Sequence, residues 1–241
     1  MKDELRATGL LPAFEPGHHT LRQPRRSRPA NTEPDPKKLA NIERARALFR
    51  EAQPVTDDCH VATYLRRRGV TLPIPPTIKY IPALKHPYTN LFFPTMIAAI
   101  SGTNKKVSGV HQTFLRLDGS GKATVSTPKL ALGRLSGDAV RLAPATEILG
   151  IAEGIETGLS AMQLYGGAVW CACGSHIDKI VLPDQVKHVR IYADNGEAGE
   201  RNAERAAQTF HRQGRRVTIV RPADIHGDFN DCLQDQAERA A

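Results

Sequence analysis

From residue 147 onward, short apolar runs alternate with longer stretches patterned at helical spacing. Glu147 to Ala152, Ala168 to Ala172, Val189 to Ala193 and Arg216 to Val220 read as strands. Ile155 to Tyr165 reads as a helix, as does Glu197 to Gln213, whose inner stripe holds Ala203, Ala206, Ala207 and Phe210. Strands alternating with helices predict an α/β unit over residues 147–241, a parallel sheet with flanking helices.

The half before it has another rhythm. Leu39, Ile42, Ala45, Ala47, Leu48 and Phe49 recur at helical spacing and predict a helix from Leu39 to Glu51. A second helix is expected from His60 to Arg68, where late arginines suit the helix dipole and Gly69 supplies a left-handed cap. Pro73, Pro75, Pro76, Pro82 and Pro87 forbid a long helix over 70–88 and suit extended connections. Leu91 to Ile100, Lys106 to Leu117 and Ala123 to Thr127 are expected strands, with Asp118-Gly119-Ser120-Gly121 as the hairpin turn between the last two. Residues 39–146 are therefore expected to form a small α+β domain. Residues 1–38 carry Pro and charge with almost nothing large and apolar from residue 15 on, which predicts a flexible basic linker.

Composition adds a partner class. With 241 residues and 40% hydrophobic content the chain can build a real core. A formal net charge of +8, with Arg22, Arg25, Arg26 and Arg28 clustered, favours a polyanion, nucleic acid first. The four cysteines, Cys59, Cys171, Cys173 and Cys232, lack the paired spacing of a structural zinc site, so no zinc is expected. Cys171 and Cys173 sit in an apolar run and read as reduced core thiols, which points to the cytoplasm. No apolar stretch is long enough to span a membrane, and none is expected as a partner.

In an open α/β sheet, ligands bind beyond the carboxyl ends of the strands, so acidic residues there are candidates for chemistry. Glu153 follows one strand directly and Asp194 another, while Asp228 and Asp231 lie in the loop after the last. Converging carboxylates need a cation to stay ionised together, and hard oxygen ligands suit Mg²⁺ or Mn²⁺. The competing reading is that each acid caps a following helix, with Asn195 an equally good cap beside Asp194.

Two strings carry a family resemblance: Ile151-Ala152-Glu153-Gly154-Ile155-Glu156-Thr157, and Tyr192-Ala193-Asp194-Asn195-Gly196-Glu197-Ala198-Gly199 further on. They resemble the two Toprim motifs shared by bacterial-type primases, topoisomerases, OLD-type nucleases and recombination mediators. Tyr64-Leu65-Arg66-Arg67-Arg68-Gly69, Gly109-Val110-His111-Gln112-Thr113-Phe114-Leu115 and Pro128-Lys129-Leu130-Ala131-Leu132-Gly133 are similar to strings of phage and plasmid proteins of the primase branch. The resemblance covers residues 39 to about 235. It implies a Rossmann-like Toprim sheet and makes Glu153 a catalytic or metal-binding glutamate and Asp194 the first aspartate of the D-x-D motif. Gly196 stands where the second aspartate belongs. Asp228, in Gly227-Asp228-Phe229-Asn230-Asp231, matches the third acidic motif and is the better substitute; Glu197, whose side chain on the next residue of the turn is expected to point elsewhere, and Asp231 are further candidates for the metal or its outer shell. Related full-length primases carry a zinc ribbon that this chain begins as though after.

The expected activity is metal-dependent nucleotidyl transfer on a single-stranded DNA template from nucleoside triphosphates, with a helicase as a further partner. Lys129, Arg116, His111 and Arg66 are the residues expected to hold nucleic acid or nucleotide; Lys122, beside a turn, is a weaker choice. Two alternatives stand: a binding accessory protein without turnover, and a Toprim nuclease, since the same acids can activate water. Gly119-Ser120-Gly121-Lys122 imitates a phosphate loop but lacks the Gly at Arg116 and the Ser or Thr at Ala123 that the motif needs. His18-His19 in the linker reads as solvated rather than as a metal site.

Overall fold

The computed structural model describes residues 35–240. The arginine cluster at 22–28 and His18-His19 lie outside the described residues, as does all but the end of the expected linker. Among the described residues no helix is long and apolar enough to cross a membrane.

Helix α1 spans Pro36–Glu51, three residues more than the apolar spacing predicts. Asp35 accepts from the Lys37 amide at 2.9 Å and Pro36 stands at the first helical position, so capping chemistry sets the start. Short β1 (Gln53–Pro54) leads to α2 (His60–Arg67), which ends where Gly69 takes φ +76°. The stretch expected as extended connection contains a full strand, β2 (Ile78–Lys85), whose proline sits at a register shift between Ile81 and Leu84 where no ladder N–H is required.

Next come β3 (Phe92–Ser101) and β4 (Val107–Phe114). The expected strand from Ala123 to Thr127 is absent. The hairpin turn holds, with Leu115 bridging Lys122, but continuous pairing resumes only after Pro128, in β5 (Lys129–Gly133), which places Ala131 opposite His111. Pro128 has no N–H to give a ladder, so the strand starts behind it.

Strand β6 (Ala139–Arg141) pairs β3 on one side and β8 on the other. It joins the antiparallel strands to β7 (Ile148–Ala152), β8 (Ala168–Cys171), β9 (His188–Tyr192) and β10 (Arg216–Val220), which run parallel in the order β8-β7-β9-β10. Between them lie α3 (Ile155–Tyr165) and α4 (Glu197–Arg212), and α5 (Phe229–Ala240) follows β10, taking Asp231, expected in a loop, into its first turn. Asp228 accepts from the amides of Asn230 and Asp231 and so caps α5.

Two apolar layers cover the parallel sheet. On one face Leu149, Ile151, Val189 and Ile191 meet Ala203, Ala206 and Phe210 of α4. On the other, Ala152 and Tyr192 meet Ile155 and Leu159 of α3 and Phe229 of α5, and this layer runs on to Tyr64, Leu65 and Leu115 of the preceding half. Phe210 is fully buried. Phe210→Ala is expected to cost about 3–5 kcal/mol through the cavity it leaves, read as a lower urea midpoint at unchanged slope.

Candidate active site

The parallel strand order reverses at β7, since β8 lies on one side of it and β9 on the other. The crevice beyond their carboxyl ends is the natural ligand position of such a sheet. A cleft of about 380 Å³ opens there, lined by Glu153, Thr157, Asp194 and Asp228 from the parallel half and α5 loop, by Glu156 of α3, and by Arg68, His111, Lys122 and Lys129 from the preceding half.

The capping alternative fails for the two central acids. The N-cap of α3 is Gly154 and that of α4 is Gly196, both without a side-chain cap bond. Glu153 instead accepts from Asn202 at 3.2 Å, and Asp194 accepts at Oδ1 from Thr157 at 3.2 Å. Asn195 does not cap either. Its amide group reaches the carbonyls of Pro222, Ala223 and His226, and its backbone N–H binds the Gly227 carbonyl at 2.8 Å. These bonds draw the loop after β10 against the end of β9 and bring Asp228 beside Asp194. Gly199 lets α4 start close by, because a Cβ there would collide with the Asp194 carbonyl.

Burial and then the Asp228 charge, with Glu153 adding to them, push the Asp194 carboxyl up to about 6, against Thr157 and Lys129. Asp194 thus meets the charge of both neighbouring carboxylates in a partly desolvated setting. Asp194 Oδ2, Glu153 Oε1 and Asp228 Oδ2 receive no hydrogen bond from a described residue. Among the described residues no three His, Cys, Asp or Glu side chains stand close enough to hold an ion by themselves. That donor set fits Mg²⁺ taken by one or two carboxylates with water and substrate phosphate completing the shell.

The remaining sequence candidates divide. Lys129 lines the cleft, and His111 lines it while 9% exposed, with Nδ1 unpartnered among the described residues. Burial pushes His111 down to about 4, so it is neutral at physiological pH. Arg116 and Arg66 lie outside the cleft lining; Arg66 is exposed and donates to the Asp57 carbonyl. Glu197 points to solvent, 89% exposed and paired with Arg201, because it is the first residue of α4 on its outer side. Asp231 accepts from the Gly227 amide at 2.9 Å and closes the first turn of α5.

Gly196 sits at φ +100° with open space where a Cβ would project. The sequence suggests that an aspartate restored here would strengthen a metal site. The backbone makes that substitution strained, and no wall of the cleft meets its Cβ. Thr157 and Asn202, which hold the two carboxylates, were not singled out by the sequence, and Arg68 only as part of a run of arginines; Lys122, the weaker choice there, lines the cleft.

Because the Asp194 carboxyl is raised, its ionised form opposes folding. The stability it contributes is present below its unfolded pKa and is lost as pH rises through about 6. Asp194→Asn is therefore expected to stabilise the metal-free protein at pH 8 by on the order of 1 kcal/mol after discounting for solvent, and to leave it unchanged at pH 4. Carbon-detected NMR of the wild-type carboxyls should show an Asp194 midpoint near 6 that falls in Asp228→Asn. A midpoint unmoved by that change would mean the two acids do not interact.

Residues 148–238 match the model of the Toprim domain, and residues 40–142 match that of a domain of unknown function, DUF7146. No curated protein matches the chain. Among solved structures, a DnaG primase catalytic domain bound to single-stranded DNA aligns with TM-score 0.58 at 12% identity, over 85% of this chain and 80% of that one. A primase domain from Pseudomonas aeruginosa aligns with TM-score 0.54 at 12% identity, over 83% and 77%. The zinc-binding and polymerase domains of the Aquifex aeolicus primase align with TM-score 0.54 at 14% identity, over 84% and 60%. The C-terminal part of this chain is a Toprim domain, and together with the domain before it the chain has the fold of primase catalytic domains.

Proposed function

We propose that the chain is a primase-like nucleotidyltransferase that joins nucleoside triphosphates on a single-stranded DNA template. The observation that carries the reading is one cleft lined both by acids, Glu153, Asp194 and Asp228, and by cations, Arg68, Lys122 and Lys129. A metal-complexed triphosphate presents the complementary pattern, cation toward the acids and phosphate oxygens toward the bases. Asp194 and Glu153, with Asp228 beside them, would hold Mg²⁺ or Mn²⁺. When bound, that ion would neutralise charge developing on the triphosphate. Thr157 and Asn202 fix the two carboxylates, and neutral His111 offers a hydrogen bond without adding charge. Nucleic-acid contacts from the basic surplus carry no base information, so template binding should weaken as salt rises.

The strings around Arg68, His111 and Lys129 support placing the chain among proteins of phage and plasmid type, where a helicase partner fits the role. We also divide it at residues 146 and 147, just ahead of the first parallel strand. Unpaired thiols at all four cysteines suit a reducing cytoplasm. A second reading, a binding protein without turnover, is favoured by Gly196 alone, since the open, strained turn supplies no second carboxylate.

Purified chain incubated with single-stranded DNA, ribonucleotides and Mg²⁺ or Mn²⁺ should yield short extension products on a gel. Glu153→Gln and Asp194→Asn should each lower that synthesis by about a hundredfold or more. They should also weaken Mn²⁺ binding in calorimetry. Cleaved template would select the nuclease reading instead, and binding with neither product the accessory one.

A further inference from the structure

Glu153 is held from behind by a chain of polar groups that ends in a buried carboxylate. Asn202 and Arg205 stand three residues apart on α4 and so share a face. Asn202 donates Nδ2–H to Glu153 Oε2 at 3.2 Å and accepts at Oδ1 from Arg205 Nη2 at 3.0 Å. The same Nη2 donates to the Ser175 carbonyl at 2.6 Å, and Arg205 Nε lies 3.2 Å from Asp178 Oδ1. Asp178 belongs to a single 3-10 turn, Ile177–Lys179, with its side chain 4% exposed and the Lys179 ammonium 3.2 Å from its other oxygen. Neither Arg205 nor Asp178 lines the cleft.

The consequence falls on the orientation of one amide. A side-chain amide has a donor end and an acceptor end of nearly the same shape. Turned over, Asn202 would set its oxygen against the Glu153 carboxylate and its NH₂ against a guanidinium that can only donate, two repulsions at once. Arg205 therefore selects the one orientation in which Glu153 receives a hydrogen bond. The planar fork does this rigidly because Asp178 and Ser175 engage it from other directions. Ser175 follows Cys173 and Gly174, which line the cleft, so the same guanidinium ties that wall to α4.

We propose that Arg205, anchored on Asp178, is a positioning residue for Glu153 and acts through Asn202. The assignment rests on the reading of Glu153 as a metal ligand. The mere presence of a cation near the site predicts the opposite sign, since an arginine repels a metal ion and its removal would tighten binding.

Calorimetry of Mn²⁺ with the intact chain distinguishes these. Asn202→Ala and Arg205→Met should each weaken Mn²⁺ binding about tenfold, the lower end of the range for groups that orient a metal ligand. Because Arg205 acts through Asn202, the two changes together should weaken it no more than Asn202→Ala does alone, whereas a general loosening of the fold would multiply the losses. A second readout needs no metal. In ¹⁵N spectra of the metal-free chain the Asn202 side-chain amide, assigned by its disappearance in Asn202→Ala, should shift in Glu153→Gln and in Arg205→Met. Arg205→Met strips a partner from a buried carboxylate; where it does not fold, Asp178→Asn with Arg205→Met removes that charge too and should show the same loss of Mn²⁺ affinity. Affinity unchanged or raised in the folded Arg205 variant, losses that multiply when Asn202→Ala is added, or an Asn202 amide indifferent to Arg205 each overturn the proposal. Glu153→Gln with wild-type Mn²⁺ affinity overturns the reading of Glu153 and this assignment with it. Glu153→Gln that loses Mn²⁺ beside an Arg205 variant that keeps it overturns this assignment alone.

Discussion

Strand β6 is three residues long, and the architecture of the cleft depends on it. Val140 pairs Ile100 of β3 and Cys171 of β8, so one residue stitches the antiparallel half to the parallel half. Val140 is fully buried, and the apolar layer around it runs without a break from Tyr64 and Leu65 to Leu159 and Phe229. The junction behaves as core, and its rigidity is that of close-packed side chains. Were the halves joined only by a linker, the acids beyond β7 and β9 would face water. Joined through one sheet, they share a cleft with the lysines of β5 and of the hairpin that follows β4.

The Glu156 cluster repeats this stitch in polar chemistry. Tyr64, Glu156 and Lys122 come from α2, α3 and the hairpin, three elements distant in sequence, and meet at one carboxylate oxygen. A buried ion pair is a poor source of stability because desolvation offsets most of its attraction. What it provides is position, since the directional bonds fix how the hairpin lies against the Toprim half where apolar contacts alone would tolerate sliding.

Much of this was legible in the chain. The parallel strands and α3 follow from apolar runs punctuated by glycine, and the pair Glu153 and Asp194 from their place directly after strands. What escaped was decided by tertiary contact. Strand β2 hides behind Pro82, which a register shift accommodates. Helix α5 opens with Phe229-Asn230-Asp231 and is held by Asn230, which binds the Arg68 carbonyl and Ser160, a pairing across the fold that no local pattern announces. Lys122 looked like part of a turn and Glu156 like an ordinary helical acid, because their meaning lies in each other and they are far apart in sequence. Lys122 lines the cleft and Arg66 does not, for the same reason: charge is visible in a sequence, but direction is not.

The raised Asp194 carboxyl and the fixed Lys122 ammonium are two halves of one electrostatic arrangement. Asp194 is raised by burial and by the charges of Asp228 and Glu153, a cost that a cation bound there would relieve. Too few protein oxygens converge to complete the shell, which leaves phosphate oxygens as the natural remaining ligands. On the proposed reading, Lys122 and Lys129 would meet the same phosphates. An ion would bind weakly without the triphosphate and a triphosphate weakly without the ion, and by linkage each would raise the affinity of the other by the same factor. On the proposed nucleotide reading, a cleft lined by both signs of charge would favour the complex of the two over either alone.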